Sequence, residues 1–165
     1  MGKRVIKYGL RLGEDRLPYL VREMSHNYSG QDAGGPSQIA DILREIEGGP
    51  SLIQEKFWMF CLDNCLRIIG YFEMLAGGKH CCLVDSSLLF TSALAAGADS
   101  IVLAHNHPSG DLSPSEKDVA LTKRVAKGAE LLGMHLEDHV VVCGGSYASI
   151  RSIYPEIFLK EGEES

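Results

Sequence analysis

The chain has 165 residues, 45% hydrophobic and 23% charged, which is the size and texture of one globular domain able to bury a core without disulfide help. Its formal net charge of -6 argues against a surface built to neutralise a phosphate backbone, so charge gives no reason to expect DNA as a partner. No apolar run approaches the roughly 20 residues that a membrane span needs.

Met1 to Arg11 is basic but lacks the apolar stretch and cleavage site of a secretory leader, so a cytoplasmic location is the default expectation. The basic residues near the start (Lys3, Arg4, Lys7, Arg11, Arg16) and the acidic ones at the end (Glu161, Glu163, Glu164) read as solvated termini. Pro18 to Tyr28 has the mixed apolar spacing of an edge strand. Ser29 to Pro36, rich in Gly, Asp and Ser, reads as a loop. Ser37 is then the expected cap of a short helix with Ile39, Ile42, Leu43 and Ile46 on one face, ended by Gly48-Gly49-Pro50. Residues 1–50 are therefore expected to be an N-terminal segment that packs on or leads into a main domain, residues 51–158, with 159–165 an acidic tail.

From Glu55 the texture changes. Lys56 to Leu62 (KFWMFCL) and Leu66 to Leu75 (LRIIGYFEML) flank the turn signal Asp63-Asn64 and predict a hairpin, broken by Gly77-Gly78. Asp85 suits the cap of a helix over Ser86 to Ala96, with Leu88, Leu89, Ala93 and Ala96 as its apolar face and Gly97 as its stop. Ser100 to Ala104 (SIVLA) is the unalternated apolar run of a strand buried on both faces. Ser113-Pro114-Ser115-Glu116 predicts a helix start, with Ser113 as cap, Pro114 at the first position and Glu116 completing a capping box. That helix should run to about Leu132 and close at Gly133. Val140 to Cys143 and Tyr147 to Ile150 predict two last strands. The class is mixed α and β, helices and strands alternating around one sheet.

Five cysteines (Cys61, Cys65, Cys81, Cys82, Cys143) contain no C-x-x-C pair and are expected to be reduced core residues. Adjacent Cys81 and Cys82 would point to opposite faces of a strand.

The residues that carry chemistry follow the buried strand. His105 and His107 are two apart on extended chain and so project to one side, and Pro108 holds His107 extended. Asp118 lies in the first turns of the following helix, on the same face as Ser115. Two imidazoles and one carboxylate suit zinc and leave a fourth position for water, as a catalytic site requires. Ser115 is placed to donate a hydrogen bond to a developing oxyanion. Asp138 and His139 read either as support for a ligating histidine or as a structural hydrogen-bonded pair. Asn106 reads as a loop-stabilising residue.

His105-x-His107-Pro108, six residues, Ser115, two residues, Asp118 resembles the motif of the JAMM/MPN metalloproteases. The wider context, HNHPSG from His105, PSEKD from Pro114, Thr122 and Asp138-His139, is similar to the bacterial RadC branch over about Glu55 to Ser152. The resemblance implies a single MPN/JAB-like domain with a cytidine-deaminase-like mixed sheet flanked by helices. It implies zinc-dependent cleavage of peptide or isopeptide bonds, with a glutamate at the start of the first strand as general base. The matching position is Glu55, and Glu73 on the second strand is the other candidate. RadC relatives often show Pro-Arg-Glu where this chain has Ser86-Ser87-Leu88, so that carboxylate is missing here. They also often carry a helix-hairpin-helix DNA-binding segment, of which this sequence shows no sign. A zinc deaminase is set aside because the Pro-Cys-x-x-Cys it needs is absent. The alternative to a hydrolase is a DNA-repair-associated or protein-binding module that keeps the fold and the metal site without peptidase activity. The peptide or protein substrate and the oligomeric state are left open.

Overall fold

A computed structural model describes residues 3–28, 34–76 and 84–159. Seven strands form one mixed sheet in the order β2-β1-β4-β3-β5-β6-β7. These are β1 (Lys3–Leu12), β2 (Pro18–Tyr28), β3 (Lys56–Leu62), β4 (Ile68–Ala76), β5 (Ser100–Asn106), β6 (His135–Cys143) and β7 (Ser146–Ser149). β1 meets β4 and β5 meets β6 in parallel, and the remaining neighbours are antiparallel. β2 is an edge strand, as its spacing predicts, and β3–β4 is the expected hairpin.

Alternation along the central strands sorts side chains between two cores. Trp58, Phe60 and Leu62 of β3 join Val102 and Ala104 of β5 under α1 (Pro36–Ile42) and the turn that continues it to Glu47. Phe57, Met59 and Cys61 join Ile101 and Leu103 under α2 (Ser86–Ala95) and α3 (Glu116–Leu131). β3 and β5 are buried along almost their whole length, which explains their unbroken apolar sequence. The parity that sends Ile101 and Leu103 towards α3 sends His105 there too.

Several local expectations need correction. The cap of α1 is Gly35, not Ser37, because Pro36 takes the first helical position to which its fixed φ is suited. On α2, Asp85 caps as expected and Gly97 closes the helix at φ 67°, but Leu88 is 44% exposed; the buried face is Leu89, Ser92 and Ala93. β6 begins five residues earlier than Val140, because its parallel pairing with β5 extends back to His135. α3 is capped by Ser115, not Ser113, and Asp118, not Glu116, completes the capping box. Two Ser-x-x-acid frames overlap here, and the second prevails because Asp118 accepts the Ser115 N–H while Ser115 accepts the Asp118 N–H. Cys61, Cys65 and Cys143 are free thiols, whereas the Gly77-Gly78 break and Cys81-Cys82 lie outside the described residues.

On the α1 side, Lys7 of β1 contacts Glu73 at 2.6 Å and Glu47 at 2.9 Å. Lys56 adds a 3.1 Å contact to Glu73, and the Tyr71 hydroxyl donates to Glu47 at 2.7 Å. Burial alone would lower the Lys7 pKa, but its two carboxylate partners outweigh that and raise it. This cluster ties the N-terminal hairpin to the central sheet. The sequence reading had assigned Lys7 to a solvated terminus.

Candidate metal centre

The site is built where β5 ends, α3 begins and β6 passes beside them. His105, fully buried near the end of β5, and His107, just beyond it, bring their Nε2 atoms within 2.9 Å of each other. Asp118, at the third position of α3, faces both, with Oδ1 3.4 Å from His105 Nε2 and Oδ2 3.5 Å from His107 Nε2. Ligand atoms of all three residues lie within 4.8 Å of one another, a grouping able to hold a metal ion.

The hydrogen bonds around the histidines settle which nitrogens carry protons. His107 Nδ1 lies 2.7 Å from the Asp111 carbonyl oxygen, which can only accept, so Nδ1 holds a proton and the neutral ring is bare at Nε2. His105 Nδ1 is 2.8 Å from Nε2 of the fully buried His139. The Asp118 carboxylate beside His107 raises the pKa of that ring. Burial would raise the Asp118 pKa, but the His105 and His107 rings, where they carry a proton towards it, and the Ser115 hydroxyl hold it well below the carboxylate range.

Edge lengths test the fit to zinc. Ligands about 2.0–2.1 Å from a tetrahedral ion lie roughly 3.3–3.4 Å apart. The histidine–aspartate separations, 3.4 Å to Oδ1 and 3.5 Å to Oδ2, are of this size but end on different oxygens, and the 2.9 Å histidine–histidine separation is about half an ångström short. The donor types fit zinc, and the spacing comes close to it.

Glu55 and Ser115 line the same open cleft of about 500 Å³ as His107, Lys117 and Asp118. Glu55 precedes β3 with the parity of Phe57, whose ring stacks on His105 at 5.9 Å and meets His139 edge-on at 5.4 Å. Its placement depends on Asn106, which is buried between the two histidines in sequence. Asn106 Oδ1 accepts the Lys56 N–H at 2.7 Å and its Nδ2 donates to the Gln54 carbonyl at 3.0 Å, gripping the chain on both sides of Glu55. β3 and β5 pair only as far as Phe57 and His105, and beyond that the Asn106 side chain takes over from the ladder. The loop-stabilising reading of Asn106 missed that the stabilised segment carries Glu55.

Glu73 belongs to the ion cluster with Lys7 and Lys56 and not to the cleft. The Ser115 hydroxyl donates to Asp118 Oδ2 at 2.7 Å, so here its proton is directed at the ligand. His139 touches His105, whereas Asp138 turns to Ser149, the Arg151 N–H and its own neighbour's N–H, binding β6 to the start of α4 (Ile150–Ile153). Sequence reading noticed Thr122 only as part of a pattern. Its hydroxyl lies 2.7 Å from His139 Nδ1. A larger groove of about 920 Å³, between α3 and Phe158, contains none of these residues.

Comparison with known proteins places the chain in a family. The family model described as the RadC-like JAB domain matches residues 34–154. A UPF0758 protein of Finegoldia magna is 36% identical over 131 residues, covering 79% of this chain and 56% of that protein. UPF0758 proteins of Flavobacterium johnsoniae and Porphyromonas gingivalis are 36% and 42% identical, over 66% and 55% of this chain and 46% and 40% of their own lengths. The chain thus spans about half the length of the curated relatives it matches. With the mixed sheet, the flanking helices and the His105, His107, Asp118 cluster in place, the chain belongs to the RadC-like JAB domain family.

Proposed function

We propose that this domain is a JAMM-type zinc hydrolase that cleaves amide bonds, in peptide or isopeptide linkage, using His105, His107 and Asp118 as metal ligands and Glu55 as general base. The observation that carries the reading is the convergence of two bare imidazole nitrogens and a carboxylate on one point, beside a cleft that Glu55 lines. Zinc there would supply a Lewis acid for the scissile carbonyl and bring the pKa of water from 15.7 to about 7.

The chain's own residues do the rest. Glu55 takes the proton of the attacking water on its carboxylate and passes it to the leaving amine. Asn106 keeps that carboxylate at the cleft by fixing the peptides before and after it. Ser115, turning from Asp118, gives its hydroxyl to the oxyanion. Phe57 stacks over one face of His105 and screens it from water.

Metal analysis and turnover of a model isopeptide test the proposal together. The protein should hold one zinc per chain, and His107→Ala should lose it. Glu55→Gln should keep zinc and lose about 10²–10⁴ in rate, the usual contribution of general acid–base catalysis. Equal zinc in wild type and His107→Ala would sink the ligand assignment. A fully active Glu55→Gln would sink the base.

A further inference from the structure

The buried contacts behind His105 form a chain that leads back to the other ligand-bearing element. The Thr122 hydroxyl, fully buried on α3, donates to the Asp118 carbonyl oxygen at 2.6 Å, which uses its only proton. Its 2.7 Å contact with His139 Nδ1 must then be one in which Thr122 accepts, so His139 carries its proton on Nδ1. A neutral His139 protonated there has a lone pair on Nε2, which accepts from His105 Nδ1–H at 2.8 Å. His105 is left bare at Nε2, the atom facing Asp118.

We propose that Thr122 and His139 are positioning residues for the metal centre, a proton-ordered relay from β5 through β6 to α3 that holds His105 in its ligating tautomer. This rests on the ligand set proposed above. The relay runs from His105, through His139 and Thr122, to the backbone of Asp118, so two ligands on different elements share one fixed hydrogen-bond direction. Reversing any member sets two donors or two acceptors against each other in a site without water-accessible surface. Support of this kind behind a ligating histidine is typically worth about 10–100-fold in metal affinity.

Zinc competition against a chromophoric chelator, with metal-free wild type, Thr122→Val and Thr122→Ser, tests the relay without any substrate. Thr122→Val keeps the shape but removes both the acceptor and the donor, and should weaken zinc binding about 10–100-fold. Thr122→Ser restores the hydroxyl and should restore the affinity. A folded Thr122→Val with wild-type affinity would overturn the proposal. Two-bond proton–nitrogen NMR spectra of the imidazoles in metal-free wild type at neutral pH give a second measurement that does not depend on any variant folding. They should show His139 protonated on Nδ1 with Nε2 bare. Protonation of His139 on Nε2 would refute the relay even if zinc binds, whereas failure of wild type to bind zinc, with His139 protonated on Nδ1, would refute the ligand set and with it the role of the relay.

Discussion

Replacing Asn106 with alanine removes two hydrogen bonds whose losses differ in kind. The Lys56 N–H, held at 2.7 Å, sits at the start of a buried strand and would lose its acceptor. Leaving such a donor unsatisfied costs about 1–3 kcal/mol. The Gln54 carbonyl, held at 3.0 Å, belongs to an exposed residue and can turn to water, so its loss is the net value of a hydrogen bond, about 0.5–1.5 kcal/mol. Together the change should destabilise the metal-free protein by about 2–4 kcal/mol, and its melting temperature should fall by about 4–16 °C at about 2–4 °C per kcal/mol for a domain of this size. The loss should also be local. Hydrogen exchange should show the Lys56 amide deprotected well beyond what the global destabilisation explains. Zinc affinity should change little, because the Asn106 side chain faces away from the ligand set. Urea melts, amide exchange and chelator competition on the same preparation measure all three. A melt within about 0.5 kcal/mol of wild type, the range of an ordinary surface substitution, would refute the clamp, as would a Lys56 amide that stays protected.

Other outcomes follow from the same structure. The metal-free protein should be most stable near pH 6.5. His107, whose folded pKa is raised, adds stability that is complete below about 6.5 and lost as pH rises through the folded value. His139, whose folded pKa is depressed by burial, opposes folding increasingly as pH falls below about 6.5, by up to about 1.4 kcal/mol per pH unit. Urea melts from pH 5 to 8.5 in chelator should show a maximum, and a monotonic curve would contradict the pair. Glu73→Gln should cost about 1–2 kcal/mol by weakening its contacts with Lys7 and Lys56, yet leave zinc content and turnover unchanged. Lost turnover with zinc retained would instead point to Glu73 as the base. Ser115→Ala should keep zinc, cost about 1 kcal/mol as a lost helix cap, and slow the folded, zinc-loaded enzyme by about 10²–10³. Full specific activity would confine Ser115 to the cap.

The grouping of His105, His107 and Asp118 was legible in the sequence because most of its geometry is local. Strand parity sets His105 and His107 to one side, the first turn of a capped helix sets Asp118, and the short return from Pro108 to Ser113 can bring the two together. The capping frame was misread by one overlapping repeat of the same signal, since Ser113 and Ser115 each precede an acid by three residues. The mixed sheet and the β3–β4 hairpin were visible in the same way. What could not be read were contacts between distant segments. Asn106 grips residues some 50 positions away, Thr122 meets His139 across the α3–β6 crossover, and Lys7 pairs with Glu73 over 66 positions. Nothing in local periodicity distinguishes such residues from solvated ones. Only the sheet order reveals that Lys7, near one end of the chain, lies beside the centre of the molecule.

That placement of β1 also orders events during synthesis. The hairpin of β1 and β2 leaves the ribosome well before β4, whose Tyr71 lies opposite Lys7. Until β4 is made, at about 5–20 residues per second, the edge of β1 that Tyr71 will meet lacks that partner. Lys7 lies on the strand that later meets β4, and a charge on an open edge is a device that discourages pairing with foreign strands. The lysine that anchors the finished sheet would thus first act as a guard on that edge, until Glu47 and Glu73 are present to receive it.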